Sequence, residues 1–140
     1  MKKYLLVGTL VLATLVVSCG KKDFSKMTFN DGTYQGHYES DDKDHPSTVD
    51  VTIEIQDNKI VNATAEFKDA KGQVKAEEYG KDAGEEKYQK AQLAVQGFNQ
   101  YAPKLVEVQD PEQVDSISGA TVSNKEFKEA VWNALEQAKK

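Results

Sequence analysis

Two neighbouring stretches of alternating apolar and polar residues constrain the fold of this chain more than any other feature. They span residues 49–55 and 61–67, and the turn pair Asp57-Asn58 lies between them. Successive side chains of a strand point to opposite faces, so a period of two indicates strands with one buried face. The pattern predicts a β-hairpin. Its inward positions are Val49, Val51, Ile53, Ile55, Val61, Ala63, Ala65 and Phe67.

A further strand is predicted before the hairpin, and two helices after it. Residues 32–39 follow the turn pair Asp31-Gly32 and carry Tyr34 and Tyr38, with Gly36 at an expected bulge. An apolar stripe at spacings of three and four predicts a helix over residues 85–101. Ala102-Pro103 is expected to end it, and residues 105–108 to form a short strand.

The second helix has the sequence pattern of a capped start. Ser123 is expected to be its N-cap, with Glu126 three residues later completing a capping box. Val122 before the cap is expected to pack on Phe127. The resulting order β-β-β-α-β-α predicts an α+β domain, a small antiparallel sheet with two helices packed on it.

The first 18 residues have the pattern of a secretory signal. Lys2 and Lys3 precede a largely apolar run over residues 4–17, shorter than the roughly 18–20 residues that span a bilayer. The run ends in Leu15-Val16-Val17-Ser18-Cys19, which resembles the lipobox of bacterial lipoproteins. That resemblance implies an acylated Cys19, bearing chains such as palmitate. It predicts a protein anchored in the lipid of the cell membrane, on the outer, extracytoplasmic face.

Three regions follow from this interpretation. Residues 1–18 are the lipoprotein signal peptide, residues 19–31 are the lipidated Cys19 and a flexible tether, and residues 32–140 are the domain. An alternative is an ordinary signal peptide with an incidental cysteine.

Charge and cysteine content exclude several classes of function. All 18 basic residues are lysines, and without Lys2 and Lys3 the remaining 16 face 23 acidic residues, a formal charge of −7. A nucleic-acid binder needs a basic surface, so no nucleic-acid partner is expected. One cysteine excludes an internal disulfide and cysteine-rich metal sites. His37 and His45 lack metal-ligand spacing, and no metal or catalytic site is predicted.

The residues that suggest chemistry lie in the segment Asp115-Ser116-Ile117-Ser118-Gly119-Ala120-Thr121, just before the second predicted helix. Gly119 and Ala120 have little bulk, and Thr121 places a hydroxyl beside the start of a helix. Free N–H groups and the helix dipole favour an anion there. A phosphate near Thr121 is therefore physically reasonable, although Gly and Thr before a helix also suit an ordinary turn.

The same segment resembles the flavinylation motif of the FMN-binding domain family, Asp-x-x-Ser/Thr-Gly-Ala-Thr. In that family, whose members include the peptidyl-FMN subunits of sodium-pumping NADH:quinone reductase and of Rnf-type complexes, a flavin transferase joins FMN to the last Thr. The resemblance implies a covalent FMN phosphoester on Thr121. Asp115 occupies the acidic position of the motif, and Ser118, Gly119 and Ala120 its small positions. These five residues are therefore the predicted cofactor-binding residues.

This resemblance predicts an extracytoplasmic electron carrier rather than a stand-alone enzyme. Its expected partners are the flavin transferase, a membrane quinone-linked dehydrogenase and an acceptor in extracellular electron transfer. Two alternatives stay open: a lipoprotein that binds flavin or another small ligand noncovalently, and a structural surface domain. Four aromatic residues are candidates to stack on the flavin ring: Tyr79, Tyr88, Tyr101 and Trp132.

Overall fold

A three-stranded antiparallel sheet with helices against it forms the body of the structure, a computed structural model that describes residues 22–140. The strands are β1 (Gly32–Glu39), β2 (Thr48–Gln56) and β3 (Lys59–Lys68), and they pair in chain order. The helices are α1 (Glu85–Phe98), α2 (Tyr101–Val108) and α3 (Thr121–Ala138). The predicted α+β class and antiparallel sheet are confirmed.

The predicted hairpin is present, with one change of register. Asp57 and Asn58 have φ values of 50° and 62°, the left-handed pair that a two-residue hairpin turn needs. A shift between Glu54 and Ile55 places Ile60 opposite Ile55. Ile60 is therefore buried, and Val61, predicted to face inward, is 44% exposed.

Gly36 is required by the approach of a helix, and the bulge predicted there is wrong. β1 pairs with β2 without a break through Gly36 and Val51. A Cβ added to Gly36 would lie only 1.8 Å from the carbonyl oxygen of Ala130 in α3. Strand and helix backbones therefore meet at this position, which only a residue without a side chain permits.

The core lies between the inner face of the sheet and the helices. α3 contacts β1 and β2, α2 contacts β3, and α1 reaches the sheet where Phe98 stacks on Phe67 at 4.3 Å between ring centroids. Val49, Val51 and Ile53 of the central strand are at most 1% exposed. Alternation along β2 thus supplies the floor of the core.

The short strand predicted over residues 105–108 is wrong, because that stretch belongs to α2. Pro103 lies in the first turn of α2, where a helix needs no N–H donor from it. Tyr101, Ala102 and Leu105 are all buried and share one face of this helix. The chain breaks at Asn99 and Gln100 instead, so Pro103 lies within the next helix rather than ending the first.

The predicted capping box is also wrong, since α3 begins at Thr121 with Ala120 as its N-cap. Glu126 is 5% exposed and accepts a 2.6 Å hydrogen bond from the hydroxyl of Ser47, so it does not reach back to the helix start. Val122 is 72% exposed and is not buried against Phe127.

The end of the predicted flexible tether is packed against the domain. Phe29 is 1% exposed and forms a bridge with Lys139, and the N–H of Asn30 donates to the carbonyl of Ala138. A short 3-10 helix over Phe24–Lys26 precedes them. The tether interpretation is therefore wrong for this stretch, because an apolar side chain and backbone pairing fix it to the end of α3.

The signal peptide and Cys19 lie outside the described residues. Among residues 22–140, no helix is both long enough and apolar enough to cross a membrane.

Candidate functional site

The predicted motif forms an exposed turn that leads into α3. It follows a 3-10 helix over Pro111–Gln113, and the side chain of Val114 anchors its start in the core. Asp115, Ser118, Gly119 and Thr121 are exposed, whereas Ala120 is buried. Thr121 is therefore open to solvent, while the buried side chain of Ala120 beside it anchors the turn in the core.

The hydroxyl of Tyr101 holds the two ends of this turn. It donates to the carbonyl oxygen of Ala120 at 2.8 Å and accepts from the N–H of Ile117 at 3.0 Å. Tyr101 is fully buried, and its ring stacks on Phe127 of α3 at 5.7 Å. One side chain of α2 thus satisfies two backbone groups of the motif and sets its position.

Two glycines permit the shape of the turn. Gly119 has φ of +84°, a left-handed conformation that glycine adopts without cost, and nothing lies within 4 Å of the Cβ that it lacks. Gly97 in α1 lies against the turn, since a Cβ there would be 2.8 Å from the Cβ of Ala120. The small residues predicted from the motif therefore serve a tight turn and a close contact with α1.

The start of α3 offers free amide donors beside Thr121. The first intrahelical bond runs from the N–H of Asn124 to the carbonyl of Ala120 at 3.0 Å. No side chain caps the helix, and within residues 22–140 the N–H groups of Thr121, Val122 and Ser123 make no hydrogen bond. Three unpaired donors at the positive end of an 18-residue helix suit a phosphate group.

Asn124 holds the start of α3 from its buried side. Its side chain is buried and donates to the carbonyl oxygen of Val114 at 3.0 Å. The bond ties the first turn of α3 to the chain entering the motif. The neighbouring Lys125 is exposed and forms no salt bridge among the described residues, so its ammonium is available to an anion at the helix start.

A cleft of about 530 Å³ lies between the α1–α2 junction and the motif. Residues 99–101, 103, 104 and 107 line one side, and residues 115–117 line the other. Asp115 therefore belongs to the cleft wall, whereas Thr121 lies beyond the turn at the helix start. The predicted site residues therefore lie close together in two adjoining places, the cleft wall and the start of α3.

The aromatic candidates divide into buried and half-buried side chains. Tyr101 is 0% exposed and Trp132 is 3% exposed, with its N–H donating to Glu112 at 2.8 Å. Neither presents an open ring face for stacking. Tyr79 and Tyr88 are half-buried, and the Tyr88 hydroxyl donates to the carbonyl of Glu77.

Sequence reasoning missed the residues that support the motif. Tyr101 bonds to its backbone, Asn124 bonds to the carbonyl oxygen of Val114 just before it, and Gly97 makes room for it. Tyr101 and Gly97 are distant from the motif in sequence. Asn124 could have been found from the sequence, because an asparagine side chain in the first turn of a helix often hydrogen-bonds to a backbone group nearby in the chain.

No group of three or more potential metal ligands occurs within residues 22–140. His37 instead lies on the outer sheet face, where its Nδ1 is 2.6 Å from Asp50.

A family match and a similar solved structure relate this chain to known proteins. Residues 44–136 match the FMN-binding domain family. The fold is similar to that of the CPE2226 protein from Clostridium perfringens, with a TM-score of 0.61 and 21% identity over 79% of this chain and 89% of that chain. No curated protein matches the sequence. The matched family region contains the whole motif and the three residues that support it.

Proposed function

Because this chain belongs to the FMN-binding domain family, we propose that it carries FMN covalently on Thr121. The observation that carries the proposal is the motif itself in its structural setting. An exposed threonine stands at the start of a long helix, beside three N–H donors that have no partner within residues 22–140. Those N–H groups would donate hydrogen bonds to the phosphate oxygens, and the open space at Gly119 leaves room for the phosphate.

The modification is a phosphoryl transfer that a flavin transferase would catalyse with FAD as donor. The Thr121 oxygen forms a bond to the phosphorus on the FMN side of the FAD pyrophosphate. The bond from that phosphorus to the bridging oxygen breaks, AMP leaves, and the hydroxyl proton passes to a base of the transferase. The chain gains FMN minus one water, with no change of redox state. Asp115 and Ser118 are exposed on the turn, where a transferase can contact them.

Covalent attachment suits a protein outside the cell. A noncovalent flavin held at about 1 μM is bound by roughly 8 kcal/mol and would be lost by dilution. A covalent link keeps it at high effective concentration. The chain also has no arginine, the residue that most often clamps a phosphate with two hydrogen bonds.

The proposed role is electron transfer at the outer face of the cell membrane. The flavin supplies the redox chemistry, and the protein supplies its position and electrostatic surroundings. The signal-like segment and Cys19 support anchoring through acyl chains. In this role the protein accepts electrons from a membrane quinone-linked dehydrogenase and passes them to an extracellular acceptor.

A second candidate function is noncovalent binding of flavin or another small planar ligand. The cleft beside residues 115–117 favours it, because its volume of about 530 Å³ lies in the range of small-molecule sites.

Flavin fluorescence in a denaturing gel separates these two functions. We expect a fluorescent band for the wild-type protein co-expressed with a flavin transferase, and none for Thr121→Val. Thr64→Val is the matched control, because it makes the same substitution at an exposed position of β3, outside the motif, and leaves Thr121 in place. A band retained by Thr121→Val, or no band from the wild type, would contradict covalent attachment at Thr121.

A further inference from the structure

We propose that the isoalloxazine ring of the FMN on Thr121 lies in the cleft between α2 and the motif, with Lys104 at its pyrimidine end. This inference rests on the proposed function and adds the place of the ring and the residues that tune it. It assigns the cleft one occupant, a planar group with an apolar end and a hydrogen-bonding end.

The position of the cleft favours this occupant. Tyr101 belongs to the cleft wall, and its hydroxyl is 2.8 Å from the carbonyl oxygen of Ala120, the residue bonded to Thr121. The N–H of Ala120 also donates to the carbonyl oxygen of the cleft residue Ile117 at 2.9 Å, so one tight turn separates the cleft from Thr121. A ribityl phosphate places five carbons between phosphate and ring. The ring of a flavin on Thr121 therefore has a cavity within the length of its own linker.

The chemistry of the cleft matches the two ends of the ring. Pro103 and Ile117 supply apolar surface for the dimethylbenzene end. Asn99 and Gln100 supply side-chain amides, and Lys104 an ammonium, for the two carbonyls and the N–H of the pyrimidine end. Gln100 donates to the carbonyl of Gln96, which leaves its amide oxygen free to accept.

The motif side of the cleft is bonded to α2 and packed against α1. The hydroxyl of Tyr101 binds both Ile117 and Ala120, and Gly97 packs directly under the same turn. A preformed cavity lowers the ordering cost of seating a ring.

Two further hollows among the described residues do not adjoin the motif, since no motif residue lines either of them. One of about 640 Å³ is lined by Gln35, His37, Asp50 and Thr64, and another of about 410 Å³ by residues 31–33 and 54–57. The side chains of the first project from the sheet away from α3, since the alternate positions Val49 and Val51 face the core. A ring tethered at the start of α3 does not reach that face.

Three charged side chains line the cleft, Lys104, Glu107 and Asp115, and substitutions of the first two should shift the flavin potential in opposite directions. The Lys104 ammonium lies 3.3 Å from each carboxylate oxygen of Glu107. Positive charge beside the pyrimidine end favours the electron-rich, reduced ring. Lys104→Gln should therefore lower the midpoint potential of the bound flavin, and Glu107→Gln, which leaves the ammonium unpaired, should raise it. Lys43→Gln, in the exposed β1–β2 loop, is the matched control and should leave the potential unchanged.

A second measurement tests burial of the ring without electrochemistry. Acrylamide, a neutral quencher, should quench the fluorescence of flavin on the wild-type protein severalfold less than that of free FMN. Asn99→Arg narrows the cleft and should return quenching toward the free value, whereas Asn62→Arg on the sheet should not. Quenching equal to that of free FMN in the wild type, or unchanged potentials in both charge variants, would overturn the proposal.

Failure of the proposed function gives a different result. A chain that stays unmodified beside the transferase contradicts attachment at Thr121, and the unmodified protein then tests the cleft alone. Riboflavin binding that Asn99→Arg weakens severalfold would support the cleft as a ring site. No riboflavin binding to the unmodified wild type would overturn it.

Discussion

At the scale of single residues, two glycines allow helices to approach their neighbours more closely than a side chain would permit. Gly36 lies where β1 meets α3, and Gly97 lies where α1 meets the motif. In both places the missing Cβ would fall within 3 Å of another residue. These two positions therefore tolerate no side chain without movement of an element.

Gly36→Ala is expected to destabilise the domain by about 3 kcal/mol or more, at the upper end of overpacking effects. Its new methyl group would collide with the backbone of Ala130, which cannot rotate away as a side chain can. Urea unfolding followed by circular dichroism measures the change. Gln35→Ala is the control, because it places alanine at an exposed neighbouring position of the same strand. A loss below about 1 kcal/mol for Gly36→Ala would contradict the close approach.

At the scale of elements, α2 positions the motif through one hydroxyl group. Tyr101→Phe removes the partner of the Ala120 carbonyl and of the Ile117 N–H. We expect a loss of about 1–3 kcal/mol, the cost of unsatisfied buried polar groups, and slower flavin loading. Tyr88→Phe is the matched control, since its hydroxyl meets an exposed carbonyl. Equal stability and loading rates for the two variants would refute this role of Tyr101.

The outer face of the sheet contributes a pH-dependent stabilisation. Hydrogen bonds from Lys68, at 2.7 Å, and from His37 lower the pKa of Asp50 below its ordinary value. A depressed carboxyl pKa means that the ionised group favours the folded state. Its contribution is complete above the unfolded pKa of about 3.9 and is lost as the pH falls through the folded value.

Asp50→Asn should therefore lower the free energy of unfolding at pH 6, and the difference from wild type should shrink as the pH falls below about 4. Urea unfolding at a series of pH values measures this difference. Asp41→Asn in the adjacent loop is the control. A difference that stays constant down to pH 2 would contradict the proposed linkage.

The sequence predicts elements well where periodicity is strong, and poorly where a distant contact decides. Alternation predicts the hairpin and an apolar stripe predicts α3, because the residues that form each buried face recur at regular short spacings in the sequence. Residues 105–108 are apolar and β-branched enough for a strand, yet burial of Tyr101 and Leu105 against β3 makes them helical. The motif was visible in sequence, whereas the cleft beside it depends on an α1–α2 break that no local signal marks.

At the scale of the whole molecule, the two ends of the described chain close the fold together. Phe29 is buried beside the end of α3, and the N–H of Lys140 donates to the carbonyl of Thr28. Lys22 then lies 5.1 Å from the centroid of the Trp132 ring. The domain therefore begins before residue 32, since residues 28–30 pair with or pack against the end of α3.

Phe29→Ala is accordingly expected to cost about 3–5 kcal/mol, as for a large aromatic side chain removed from a core. Phe24→Ala, at a half-buried position of the same segment, should cost clearly less. Thermal unfolding of both variants gives the comparison. A Phe29→Ala protein as stable as the wild type would show that this segment does not belong to the domain.

The most direct test of the central claim is the mass of the mature protein after co-expression with a flavin transferase, followed by mapping of the modified peptide. A single flavin addition, of FMN minus water, is expected on Thr121 and is absent from Thr121→Val. A wild-type protein without flavin, or a flavin located on any other residue, would contradict covalent attachment at Thr121.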